Sequence, residues 1–300
     1  MTNKLRPLLA TEVKNLKDLK LPMLASVKLD GIYALIVDGV IYSRSFKPIK
    51  NKHVQKLFGN RDLNGLVGEL VCGDVYAEDV FRQTTTATMA EDGVNDVKLY
   101  VFDDWSVGDK PYKERYQHYQ RRIKALNHGS IVALEHNMLH TIDEVITALD
   151  KEQKRNGEGI ILRLPSAKWK NGRSTPKSQE SVKLKFFEQQ EYKIVDVVER
   201  MHNANEAKVN EMGYTERSSH KDNMIPMNTF GAFVMELQDG RNFNVGSGLG
   251  LTDAVRKEIW NNRDKYIGKI ATVRQMKVGS KNGIPRLPTF VGLRDKDDMS

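Results

Sequence analysis

The most reactive-looking stretch of this chain is Lys28-Leu29-Asp30-Gly31 in "SVKLDGIYALIVDGVIYSRSF", where a lysine ends an apolar strand and a carboxylate and a glycine follow. An ammonium placed there must partly leave water, which costs free energy unless the charge is paired or lost. Three other segments put ionisable groups where a strand should be quiet: Glu69 in "LVGELV", Glu158 in "GEGIILR", and Lys183 with Lys185 in "SVKLKFF". Lys183 and Lys185 are two apart, so on a strand they share a face, while Val182, Leu184 and Phe186 take the other. Two lysines on one face need an anion or open solvent. Taken alone, that pair reads as a solvated strand face. A lone Lys-x-Asp-Gly arises by chance in roughly one of every few tens of chains this size, and a single glutamate in a strand says less still.

The elements that must position these groups can be read from apolar spacing. Tyr33, Leu35 and Val37 enter, and Val40, Ile41 and Tyr42 leave, a hairpin turned by Asp38-Gly39. Strands and helices then alternate to residue 188. "VKLYVFDDW" reads as a buried strand, "KERYQHYQRRIKAL" as an amphipathic helix, and "SIVALEH" as a strand. A helix runs from an N-cap at Thr141 to a stop at Gly157, and "EGIILRL" and "SVKLKFF" read as strands. From about Glu191 the character changes to short strands, with a second hairpin at Asp239-Gly240 and one helix at about 251–263. That pattern suits a small barrel of the OB type. About thirty polar residues, 200–230, separate its first two strands, and a connection that long is functional or disordered.

Composition narrows the classes. The chain has 300 residues, enough for one large domain or two ordinary ones. A hydrophobic content of 39% beside 29% charged residues supports a packed core rather than disorder. The formal net charge of +8 favours a polyanionic partner. One cysteine, Cys72, excludes a disulfide framework and a multi-cysteine zinc site, and reads as a small packed residue. The histidines show no metal spacing, and His136 and His140 read as surface residues. No apolar run reaches membrane-spanning length. The expectation is a soluble, intracellular, cytoplasmic protein.

The order of these segments is more informative than any one of them. Lys28-Leu29-Asp30-Gly31, Ser43-Arg44-Ser45-Phe46, Glu69, Tyr100-Val101-Phe102-Asp103, Glu158-Gly159 and Lys183-Leu184-Lys185 resemble the ordered motif set of the covalent nucleotidyltransferases. "SRSFKPI", "FRQTTTATM", "NGRSTPK", "GYTERSSHK" and "RLPTFVGLR" extend the likeness to the minimal ATP-dependent DNA ligases, a family with viral and phage members. It covers residues 6 to 295.

The resemblance implies a two-domain α+β (α/β) protein. A nucleotidyltransferase (adenylation) domain with antiparallel sheets would span 1–188. An OB-fold β-barrel would span 189–300, with a DNA-binding, latch-like loop at about 200–230. It implies an enzyme of DNA replication, repair and recombination that seals 3′-OH/5′-phosphate nicks in three steps: lysine adenylylation, AMP transfer to the 5′-phosphate, and attack by the 3′-hydroxyl. ATP and Mg²⁺ (or Mn²⁺ in its place) are the implied cofactors. Nicked duplex DNA is the implied partner, with no membrane, for a monomer that closes around it.

Residue by residue, Lys28 would be the nucleophile. A free lysine has a pKa near 10.4, so only about one in a few thousand is neutral at pH 7, and attack requires depressing that value. Lys183 and Lys185 would supply the nearby cations and hold the α-phosphate. Asp30 would orient the reacting groups, and Gly31 would let the backbone turn beside the nucleotide. Glu69 would accept ribose hydroxyls, Phe102 would stack on adenine, and Glu158 would hold the divalent metal. Arg44 and Arg173 would grip the nick 5′-phosphate through bidentate forks. Arg286 and Arg294 would orient pyrophosphate.

One position departs from the pattern. The family motif continues Lys-x-Asp-Gly-x-Arg, and here the sixth residue is Tyr33, which carries no fixed positive charge; Lys47 is a weak candidate to replace it. Three other readings compete. A capping enzyme would use GTP, and its usual terminal Arg-x-Asp-Lys is matched only by Arg294-Asp295-Lys296 without the spacer. An RNA ligase fits the second half poorly. A catalytically dead nucleic-acid-binding module leaves the reactive residues unexplained.

Overall fold

The computed structural model of the chain describes residues 5–281 and 283–294. The chain divides into two compact units, one ending at Phe186 and the other beginning at Phe187. Among the described residues, no helix is long and apolar enough to cross a membrane.

In the first unit the strands are β1 (Leu8–Leu9), β2 (Met23–Val27), β3 (Ile32–Val37), β4 (Val40–Ser43), β5 (Leu66–Cys72), β6 (Val97–Asp104), β7 (Ile131–Ala133), β8 (Asn137–Leu139), β9 (Gly159–Arg163), β10 (Gly172–Arg173) and β11 (Ser181–Lys185). The helices are α1 (Lys52–Phe58), α2 (Val80–Met89), α3 (Tyr112–Leu126) and α4 (Ile142–Lys154). A five-stranded sheet has the order β4-β3-β5-β6-β7, and a four-stranded sheet the order β11-β9-β2-β8. All their pairings are antiparallel except β6 with β7.

Local chemistry accounts for these elements. The β3–β4 hairpin turns with Asp38 at φ 51° and Gly39 at φ 80°, and positive φ at both positions gives the twist that a two-residue hairpin needs. Helix α4 starts where the Thr141 hydroxyl accepts from the Glu144 N–H at 3.2 Å. Acids stand in its first turn and lysines in its last, matching the helix dipole. Leu66, Leu70, Val97 and Val101 of the five-stranded sheet pack with Phe58 of α1, Ala87 of α2, and Tyr119 and Ile123 of α3. Met23, Ile160, Leu162, Val182 and Leu184 of the four-stranded sheet pack with Val145 of α4.

His136 is buried rather than on the surface, at 8% exposure. The tyrosines of α3 draw it in. Its Nε2 lies 2.9 Å from the Tyr112 hydroxyl, its Nδ1 3.0 Å from the Leu134 carbonyl, and its ring meets Tyr116 edge-on. Burial, with Arg163 nearby, pushes the imidazole down to about 3, so it packs as a neutral ring.

The second unit contains β12 (Phe187–Asn203), β13 (Ala207–Val209), β14 (Thr215–Arg217), β15 (Met224–Glu236), β16 (Asn242–Val245), β17 (Ile270–Lys281), β18 (Ile284–Leu293) and α5 (Asp253–Asn261). Its antiparallel sheet runs β16-β15-β12-β17-β18 over a core that includes Ile194, Phe230, Phe233, Val245, Ile259 and Val273. This OB domain is not the closed barrel expected from the sequence. Strand β16 has four residues against ten in β18, and the chain then turns into α5. Among the described residues, the two sheet edges are joined by the isolated Gly248–Phe290 bridge, where the Phe290 N–H donates to the Ser247 carbonyl at 2.8 Å, rather than by a continuous ladder.

Nor is 200–230 an irregular loop. Strands β12 and β15 extend into it, and β13 pairs with β14 as a hairpin. Polar bonds organise this arm. The Asn205 amide donates to Asn203 Oδ1 at 2.8 Å, to the Ser218 carbonyl at 3.0 Å and to the His220 carbonyl at 2.9 Å. Asn223 donates to Asn205 Oδ1 at 3.2 Å. Apolar content gives no sign of this order, because the ordering groups are amides with satisfied partners.

Candidate active site

The site is built where the facing sides of the two sheets approach. On β9 and β11 the antiparallel register pairs Lys183 with Ile161 and Lys185 with Gly159, and β2 pairs Ser26 with Ile161. Directly opposed residues share a face, so both lysines stand beside Ile161, with Arg163 one step further along. On the other sheet Tyr33 pairs with Glu69, and Glu69 with Tyr100, which places Phe102 on that same face. A cavity of about 200 Å³ lies between these surfaces. Lys28, Lys183 and Lys185 line one part of it; Tyr33, Phe102, Leu134 and Arg163 line another; Arg44 and Arg173 are exposed members of its wall.

Lys28 follows β2, and its backbone N–H donates to the Gly159 carbonyl at 2.9 Å. This tie joins the end of β2 to Glu158, 130 residues later, whose carboxylate is 4% exposed. One Glu158 oxygen accepts from the Lys28 ammonium, and the other pairs with Lys185 at 2.8 Å. Burial works to raise the Glu158 carboxyl, but the two lysines outweigh it and hold it below the usual carboxylate range. Burial, with the neighbouring lysines, pulls the Lys185 ammonium below its ordinary value despite its pair with Glu158. Lys183 pairs with Glu12 at 3.2 Å.

Glu69 differs from Glu158. Protein surrounds it although the cavity reaches it, and burial pushes its carboxyl up to about 8 against the opposing pull of Lys28, with Glu158 and Asp30 adding to the rise. Gly31 leaves it room. A Cβ there would collide with the Leu70 carbonyl and come within 2.9 Å of Glu69 Cγ. The reason for glycine is therefore close approach to β5 rather than a left-handed turn.

Phe102 is held by a buried polar scaffold. Its carbonyl accepts from the Tyr112 hydroxyl at 2.7 Å. The next residue, Asp103, is fully buried and accepts from Arg115 Nε at 2.8 Å, Arg115 Nη2 at 3.1 Å and Arg163 Nη1 at 3.0 Å. The Arg163 guanidinium then lies 4.9 Å over the Phe102 ring.

A buried lysine–carboxylate cluster at one part of a cleft and an accessible aromatic ring at another suit a nucleotide, phosphates toward the lysines. A family model of the ATP dependent DNA ligase domain matches residues 7–185, the whole of this site, and a model of the DNA ligase OB-like domain matches residues 226–294. The chain belongs to the ATP-dependent DNA ligase family. It is a ligase enzyme of nucleotidyltransferase-plus-OB architecture. Two crystal structures of Chlorella virus DNA ligase-adenylate are 28% and 26% identical to it, with TM-scores of 0.55 and 0.53. They cover 98% and 96% of this chain, and 99% of theirs. A Lig E DNA ligase structure, 20% identical, shares the fold with a TM-score of 0.70 over 96% of this chain and 99% of its own. No curated protein matches the chain.

In this ligase the structure brings Lys28, Arg44, Glu69, Phe102, Arg173, Lys183 and Lys185 to one cavity, with Glu158 bonded to two of the lysines. Asp30 is close enough to act electrostatically on Glu69. Arg286, on β18, and Arg294, which follows it and pairs with Glu191, belong to the second unit. Asp295 and Lys296 lie outside the described residues. Sequence reasoning missed Arg163. Its available signal was a charge at the end of "GIILR", two positions from Ile161 and therefore on the cavity face.

Proposed function

We propose that this ligase seals 3′-OH/5′-phosphate nicks in duplex DNA through a Lys28–AMP intermediate and an adenylylated DNA 5′ end, acting as a monomer. The supporting observation is the Lys28–Glu158–Lys185 cluster, which keeps a lysine amine inside a cleft whose other part carries Phe102. Attack requires the free amine, so the Lys28–Glu158 pair must open. Arriving phosphates give Lys185 and Lys183 further anionic partners beside Glu158 and Glu12. Once Lys28 has released a proton to solvent, its neutral Nζ attacks the α-phosphorus; an N–P bond forms as a second proton passes to water, the α–β anhydride breaks, and pyrophosphate leaves with its charge offset by the two lysines. Phe102 stacks on adenine, and Glu69, once ionised, accepts the ribose hydroxyls. Arg44 and Arg173, exposed on the wall, grip the 5′-phosphate of the nick. The second unit contributes Arg286 and Arg294 toward pyrophosphate and the β13–β14 arm toward the duplex backbone.

The donor set fits Mg²⁺. Among the described residues no group of three or more acidic, histidine or cysteine side chains could hold a metal alone, and Mg²⁺ takes few carboxylates and keeps its waters and substrate phosphates. Glu158 would hold it, with Glu69 nearby, and it would supply further charge neutralisation at the phosphates.

The test is labelling with α-phosphate-labelled ATP or GTP, followed by denaturing electrophoresis and a nick-sealing assay. ATP should label wild type, and Lys28→Arg should abolish both label and sealing, because arginine stays protonated. Covalent label at wild-type levels in Lys28→Arg would remove the nucleophile from this position.

A further inference from the structure

Among the described residues, two buried side-chain polar atoms lack any hydrogen-bond partner: the Tyr33 hydroxyl and Arg163 Nε. Buried polar groups are nearly always paired, because an unpaired one loses its hydration without return. Both residues line the cavity, and both flank Phe102. The Tyr33 ring lies 5.7 Å from the Phe102 ring, and the Arg163 guanidinium 4.9 Å over it. Arg163 is 4% exposed and oriented by Asp103. Tyr33 also stands where the family motif has arginine, and Lys47 is not among the cavity-lining residues. Unpaired polar atoms beside an aromatic ring can give a planar heteroaromatic base hydrogen-bonding partners along its edge.

We propose that Tyr33 and Arg163 read the Watson–Crick edge of adenine, the Tyr33 hydroxyl accepting from the 6-amino group and Arg163 Nε–H donating to N1. The assignment rests on the nucleotide-binding reading of this cavity. A phenol both donates and accepts, whereas a guanidinium only donates. Adenine offers an amino donor at position 6 and a bare N1 acceptor. Guanine carries a carbonyl at position 6 and an N1–H that would face Arg163 Nε–H, donor against donor. The pair therefore selects ATP over GTP.

Tyr33→Phe removes one hydroxyl and keeps the ring, so the platform persists. KM in the lysine-adenylylation step is measured for wild type and Tyr33→Phe with ATP and with purine riboside triphosphate, which lacks the 6-amino group. Tyr33→Phe should raise the KM for ATP about tenfold, the factor that a hydrogen bond of about 1.4 kcal/mol commands. It should leave the KM for purine riboside triphosphate at the wild-type value. For wild type, 1-deaza-ATP, with C–H in place of N1, should show a KM about tenfold above that for ATP. An unchanged KM for ATP in Tyr33→Phe, or an equal rise with both nucleotides, would overturn base recognition by Tyr33. A wild-type KM for 1-deaza-ATP equal to that for ATP would overturn it for Arg163. Failure of wild type to take label from ATP at all would instead overturn the underlying nucleotidyl-transfer reading.

Discussion

Replacing Asp103 by asparagine should reveal how much the site depends on its buried scaffold. Asp103 is fully buried and is shared by two guanidiniums, with side-chain exposures of 0% for the aspartate, 1% for Arg115 and 5% for Arg163. Asparagine keeps the shape but removes the charge, and turns an amide N–H toward groups that only donate. Breaking a buried pair from one side costs about 3–5 kcal/mol, because the remaining charge stays out of water. Each 1 kcal/mol shifts Tm by about 2–4 °C in a domain of this size, so the first unit should melt about 6–20 °C lower. Arg115 keeps its bonds to the Lys110 carbonyl at 2.8 Å and the Ala167 carbonyl at 2.9 Å, which favours the lower part of that range. Calorimetry of the full chain measures it, with Asp239→Asn, whose partner Arg241 is solvated, as a control expected to leave Tm unchanged. A fall of less than about 2 °C in Asp103→Asn would show that the network does not support the domain.

Two further outcomes follow from the geometry. The folded-state value of Glu69, about 8, lies above its ordinary 4.5. Between those values the folded chain holds a proton that the unfolded chain releases, so stability falls as pH rises across that window. Glu69→Gln should flatten this fall in a Tm-against-pH series, and an unaltered slope would refute the burial argument. Replacing residues 203–226 by a short glycine linker should leave Lys28 adenylylation nearly intact while weakening nick binding and lowering its salt dependence, by about 0.9 in the log–log slope for each phosphate that the arm no longer neutralises. Titrations of nicked duplex at several salt concentrations decide this, and curves that overlay the full chain would exclude the arm from DNA binding.

The reactive residues were legible because their type and order carry the chemistry. Lys28 before Asp30-Gly31, Glu69, Glu158 and the Lys183–Lys185 pair stand out through their resemblance to an ordered motif set, and the two-residue period of a strand places only Lys183 and Lys185 on one face. The Asp38-Gly39 turn and the Thr141 N-cap are local as well, since neighbouring residues settle them. What stayed hidden depends on groups far apart in sequence. Asp103 and Arg163 meet across 60 residues, and Lys28 and Glu158 across 130. The burial of His136 depends on α3 crossing the sheet, and no residue beside it indicates that. The open edge of the OB domain follows from the four-residue length of β16 against the ten residues of β18 at the opposite edge of the sheet, a property of two strands together. The order of the 200–230 arm comes from the amide bonds of Asn205, which its composition does not reveal. Residue types and their order specify which functional groups are available. Which charges are desolvated, which are paired, and that Tyr33 and Arg163 keep unpaired polar atoms beside Phe102 emerge with folding, because burial and pairing are properties of packed sheets rather than of residues taken along the chain.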